Sequence, residues 1–95
     1  MDKKFADFLN TYLDAEQAYD TSGYLRPTLL AFNETYIQVI RENFTQILQD
    51  KNFGSAEYER LTNIEFPDND SLHKYLQDIY SYLFEGAPKQ PIPPG

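Results

Sequence analysis

The sequence predicts an all-α protein, a compact bundle of three longer helices and one short helix followed by an extended Pro-rich tail. Three observations carry that expectation. Apolar residues recur every three or four positions in four stretches, the spacing of one face of a helix. No segment alternates apolar and polar residues for long enough to make a convincing strand. Helix-stopping Gly and Pro residues fall between the stretches, at Gly23, Pro27, Gly54, Pro67 and Gly86.

The first helix is expected from about Lys3 to Asp20, with Phe5, Phe8, Leu9, Tyr12, Leu13 and Tyr19 on one stripe. Thr21-Ser22-Gly23 would end it, because glycine accepts the left-handed conformation that closes a helix. Pro27 opens a long second helix to about Lys51, since a first-turn proline loses no helical hydrogen bond. Its core stripe is Leu29, Phe32, Tyr36, Ile40, Phe44 and Ile47, with Asn33 and Asn43 intruding on the apolar side and expected to hydrogen-bond within the core. Ser55 can cap a short helix, SAEYERLTN. Glu65-Phe66-Pro67 breaks the pattern, and Asp70 or Ser71 caps the last helix, from Leu72 to about Glu85, which Gly86 stops. That helix has Leu72, Leu76, Ile79 and Leu83 at the centre of an arc edged by Tyr75, Tyr80, Tyr82 and Phe84. Such an arc spans about 200°, wide enough for a helix packed between neighbours. Small extended elements have room only in the connections Asn52–Gly54 and Asn63–Asp70.

Residues 1–86 therefore read as one helical domain and residues 87–95, APKQPIPPG, as a tail whose four prolines favour polyproline II. A hydrophobic fraction of 41% and an aromatic fraction of 16% suit a packed core. With no cysteine, disulfides and Cys-based zinc sites are excluded. The opening MDKKFADFLN has neither the apolar run of a signal peptide nor that of a membrane span, so a cytoplasmic protein is expected, and the three Asn-X-Ser/Thr sequons (at Asn33, Asn43 and Asn69) read as chance matches.

Fifteen acids against eight bases give a formal net charge of −7. A chain of that charge repels nucleic acid and anionic membranes and attracts a basic protein. The acids crowd between residues 50 and 70, where Asp50, Glu57, Glu59, Glu65, Asp68 and Asp70 face only Lys51 and Arg60. Tyr58 and Phe66 lie in the same stretch. Carboxylates with aromatic rings on a loop-rich surface suit a binder of a basic protein, charge giving rate and orientation and rings anchoring in pockets. A solvated acidic face is the plain alternative.

Chemistry-bearing residues are otherwise sparse, and no enzyme or cofactor is expected. His73, the only histidine, falls on the flank of the last helix with no cysteine or second histidine to work with, which suits a solvated or partner-facing residue. PDNDS begins like a calcium loop, but the positions that need glycine and a bidentate glutamate hold His73 and Ile79. Glu16 falls in the first helix's apolar stripe and would need a partner such as Arg26 or Arg41. Two PxxP spacings, Pro88 to Pro91 and Pro91 to Pro94, fit recognition by a proline-binding domain, while an unstructured end after Gly86 is the simpler expectation.

FADFLNTYL at the start, QDKNFGSAEYERLTNIEF in the middle and LHKYLQDIYSYLF near the end resemble small acidic bacterial immunity proteins, of the kind paired with contact-dependent growth inhibition toxins or, more loosely, nuclease colicins. The resemblance extends over most of residues 5 to 86 in size, charge and helical layout. It implies a cytoplasmic monomer that binds one basic toxin domain, often a nuclease, and covers its active site with carboxylates where phosphates would lie. The surface expected to do so is Glu57, Glu59, Glu65, Asp68 and Asp70, with Tyr58 and Phe66 as apolar anchors. The alternative is a helical adaptor or regulatory subunit, such as a phage-encoded inhibitor, docking a host protein through an apolar groove left open on the last helix.

Overall fold

Local capping decides where the helices of this chain begin and end, and it divides the apolar stripes more finely than their spacing suggests. The structure, a computed structural model, describes residues 1–50 and 52–94. Lys51, the expected end of the second helix, and Gly95, the end of the tail, lie outside them. Among the described residues the fold is all-helical: α1 Lys3–Tyr12, α2 Leu25–Leu30, α3 Glu34–Gln49, α4 Ser55–Thr62 and α5 Asn69–Phe84. Helix α1 packs on α3 and α4, and α3 packs on α5. No helix among the described residues is long and apolar enough to cross a membrane.

Helix α1 is shorter than the expected Lys3–Asp20. At Asp14 the side chain accepts hydrogen bonds from the Glu16 and Gln17 amides at 3.1 and 3.0 Å, offering the backbone an alternative to the helix. The Ala15 amide leaves the helix altogether and donates to Thr62 O at the end of α4, 2.8 Å away. Leu13 and Ala18 stay buried, but Glu16 is turned out of the stripe and is exposed.

The expected helix 27–51 is two helices. Asn33 stands between them as the N-cap of α3, its side chain accepting from the Tyr36 amide at 2.8 Å. It is exposed and not a core residue. Asn43 is partly buried, its amide donating to Val39 O at 2.9 Å within α3 and its oxygen accepting from the Asp2 amide at 3.4 Å. The break at Ala31–Asn33 changes the phase of the stripe. Leu29, Ile40, Phe44 and Ile47 are buried, whereas Phe32 is exposed and Tyr36 half-buried.

The second half follows its local signals closely. Gly54, not Ser55, is the N-cap of α4, and the Ser55 amide donates to Asn69 Oδ1 at 2.9 Å. Asn69 therefore ties the start of α4 to the start of α5. Asn63 ends α4 in the left-handed region, at φ 61°. Residues 64–67 then run extended, with Ile64 and Phe66 buried and Glu65 and Pro67 exposed. Asp68 caps α5 earlier than expected, accepting from the Ser71 amide at 2.7 Å. Gly86 follows its end at φ +78°.

The core is built around Phe44, which meets Phe5 edge-on at 5.0 Å between ring centres, with Phe8, Ile40, Leu72, Leu76 and Ile79 fully buried beside it. Each such side chain contributes about 1.5–3 kcal/mol by leaving water. The apolar arc of α5 is filled: Leu72, Tyr75, Leu76, Ile79, Tyr82 and Leu83 are all buried.

The tail is not free. It turns back at Gly86 and runs antiparallel to α5, between that helix and the 13–24 connection. Arg26 donates to Ala87 O and, at 2.8 Å, to Tyr82 O, while Tyr19 donates to Pro94 O and Pro93 is buried.

Candidate partner-binding surface

Two helix N-termini lie side by side where Asn69 caps Ser55, and both carry acids in their first turns: Glu57 on α4 and Asp70 on α5. Carboxylates are stabilised there by the positive end of the helix dipole. Asp68 sits at the same place as the α5 cap, and its hydrogen bonds from Ser71 hold its carboxyl below the usual value. Glu59 projects from α4 about 200° around the helix from Glu57. Glu65 points out of the extended return from α4 to α5.

Their charge is little compensated. Arg60 bridges Glu57, one turn apart on α4. Glu59, Glu65, Asp68 and Asp70 are exposed and form no ion pair among the described residues. The remaining bridges, Lys3–Asp7 and Lys74–Asp78, are surface pairs within single helices, both at 3.1 Å.

The expected apolar anchors are elsewhere. Tyr58 is completely buried and Phe66 nearly so. Their rings meet edge-on at 5.6 Å, Phe66 lies 5.3 Å from Tyr75, and Phe53 lies 6.4 Å from Tyr58. These contacts join α4, the extended return and α5, so neither ring reaches a partner. For Phe66 the reason is the alternation of residues 64–67, which puts the aromatic residue in and its charged neighbour out; Tyr58 is buried from α4 itself. Burial pushes the Tyr58 and Tyr75 phenols up. The two hydroxyls face the same interior, and neither makes a hydrogen bond of normal geometry.

The other sequence candidates are structural. His73 sits on the flank of α5 as its position implies, but its Nε2 is engaged with Phe53 O at 2.8 Å, which fixes the proton on that nitrogen. It ties α5 to the α3–α4 connection. Glu16 takes neither expected partner: Arg26 is occupied by the tail, and Arg41 donates to the Tyr80 hydroxyl at 3.3 Å. No three His, Asp or Glu side chains among the described residues are grouped to hold a metal ion.

Two surface features escaped the sequence reading. An apolar corner forms at the α2–α3 break, where Leu30 and Phe32 are 53% and 38% exposed, Phe32 stacks on Tyr36 at 4.3 Å and Tyr12 meets Phe32 edge-on at 6.4 Å. The signal for it was Asn33, a strong N-cap residue inside the apparent stripe. The second feature is an open hollow beside Glu65, lined by Ala15, Tyr19, Asn63, Ile64, Pro67 and Pro94. It needs the docked tail, for which the sequence carries no local signal.

The arrangement presents uncompensated carboxylates, with the partly exposed Tyr19 ring beside Glu65. No protein-family model matches this chain, and neither does any curated protein or solved structure.

Proposed function

We propose that the protein is an immunity protein that binds a basic toxin domain, a nuclease, and neutralises it by covering the active site with an acidic surface. The observation that carries this reading is the set of exposed carboxylates without an ion-pair partner among the described residues: Asp68 and Asp70 at the start of α5, which Asn69 ties to the start of α4, with Glu65 on the extended return before them and Glu59 on α4. A nuclease site is cationic because it holds phosphates. Carboxylates on a rigid scaffold can occupy it with little ordering cost, and an unbalanced field of one sign steers the encounter. The apolar contacts come from Tyr19, 40% exposed, and Pro67, which border the same hollow as Glu65. The complex is 1:1 and forms in the cytoplasm, without nucleic acid or membrane.

The test is a double reversal, Glu59→Lys with Glu65→Lys, in the chain co-produced with the toxin domain encoded beside its gene. Association should slow by roughly 10-fold or more at low salt, with the difference shrinking as salt rises. Unchanged association kinetics would remove this surface from the interface.

A second reading, the helical adaptor, draws on the corner where Leu30 and Phe32 are exposed beside half-buried Tyr36. It predicts binding that is indifferent to salt and lost in Phe32→Ala.

A further inference from the structure

We propose that the groove flanked by α5 and the 13–24 connection is a binding site for a proline-rich segment of a partner protein, and that residues 87–94 are its resident occupant. The chemistry of the tail and of the groove match. A run containing Pro88, Pro91, Pro93 and Pro94 has few amide donors and many carbonyl acceptors. The groove supplies donors at both ends: the Arg26 guanidinium to Ala87 O and the Tyr19 hydroxyl to Pro94 O. Between them it offers apolar rings. Arg26 lies 4.1 Å over the face of Tyr82, and Phe66 and Tyr75 line a hollow with Pro91, Ile92 and Pro94. Aromatic walls with a few hydrogen-bond donors are how a preformed polyproline II segment is recognised.

The resident segment fits this groove incompletely. A hollow of about 280 Å³ remains against Phe66 and Tyr75. Ile92 is 60% exposed. Gln90 Oε1, on the tail itself, is buried without a hydrogen-bond partner, a cost that displacement of the tail by a better-fitting ligand would relieve. Among the tail's described residues only Pro93 is buried. Gly86, at φ +78° and with open space around it, is the pivot on which the tail can leave. While attached, the tail competes at the high effective concentration of a short tether, so a proline-rich partner engages only by displacing it.

The experiment cuts the folded full chain at a protease site inserted between the exposed Glu85 and Gly86, removes the freed tail and titrates synthetic Ala87–Gly95 peptide back. Ring resonances of Tyr75 and Tyr82 report binding. Saturable rebinding is expected, weaker by roughly tenfold or more for a peptide with Pro91, Pro93 and Pro94 replaced by alanine, and for an Arg26→Ala body with intact core resonances. The proposal is overturned if the alanine peptide binds as well as the parent, or if no saturable binding occurs. Loss of the fold on cutting also overturns it, making the tail a structural strap. Exchange of tails between two uncut chains overturns the partner assignment in favour of a second copy.

Discussion

Two aromatic clusters of this molecule lie on opposite sides of the boundary between core and water, and Tyr58, Phe66 and Phe32 in them stand against the places that their sequence contexts assign them. Phe53, Tyr58, Phe66 and Tyr75, in the acidic and least regular stretch and its flank, are buried, with ring centres 5.3 to 6.5 Å apart. Tyr12, Phe32 and Tyr36, on long apolar stripes, form a corner that meets water. Residue type does not separate the two groups. For Phe66 and Phe32 the local backbone does. Residues 64–67 run extended and alternate, aiming Phe66 inward, whereas the break at Ala31–Asn33 restarts the helix out of phase and leaves Phe32 outside.

The largest effect expected from this difference is on stability. Tyr58→Ala removes a fully buried ring and should cost about 3–5 kcal/mol in urea unfolding. Phe32→Ala, the same kind of truncation at an exposed ring, should cost about 0.5 kcal/mol. Similar losses at the two positions would mean that the corner is as well packed as the interior, and the contrast would fail.

Most of the C-terminal half was legible because its boundaries carry their own chemistry. Gly86 sits just past a helix end as expected, the caps Gly54 and Asp68 lie within one to three residues of the expected Ser55 and Asp70 or Ser71, and the spacing of Leu72, Leu76, Ile79 and Leu83 identifies α5 and its buried face. In the N-terminal half the apolar period runs unbroken through Asp14 and Asn33, and periodicity outweighed two capping residues. Polar residues in a stripe read as core hydrogen-bonding groups or buried charges, yet both asparagine and aspartate more readily end helices. The acidic edge was legible as charge, since Glu59, Glu65, Asp68 and Asp70 are exposed. Its anchors were not, because the inward aim of Tyr58 and Phe66 depends on tertiary packing. The tail's docking rests on Arg26 and Tyr19, which are 61 and 75 residues from their carbonyl partners, too far for any local pattern to register.

Breaking the restart of α3 tests the comparison at intermediate size. Asn33→Ala removes the side-chain acceptor for the Tyr36 amide and should destabilise the protein by about 1 kcal/mol. The Tyr36 amide should exchange faster with solvent in the same variant. Unchanged stability and exchange would show that packing of Phe32 on Tyr36, and not the cap, sets the break.

The smallest expected effect separates the two clusters by the kind of cap that stands beside each. Asn33 is neutral, whereas Asp68, two residues after Phe66, caps α5 with a carboxylate. Ser71 hydrogen bonds lower the Asp68 pKa below its ordinary 3.8, so the folded state favours the charged form. The stabilisation is therefore complete above the unfolded value and is lost as pH falls through the lower folded value. Asp68→Asn keeps an acceptor but has no such titration. The wild-type chain should be slightly the more stable near neutral pH, and its lead in urea midpoint should shrink only once the pH drops below the ordinary carboxylate range. Asp20, lowered by Ser22 in the same way, is present in both proteins and cancels from the difference. A wild-type lead that persists unchanged into strong acid would mean that charge plays no part in the Asp68 cap. The buried and exposed clusters would then be held by the same kind of neutral hydrogen bond, and only the phase of the backbone would tell them apart.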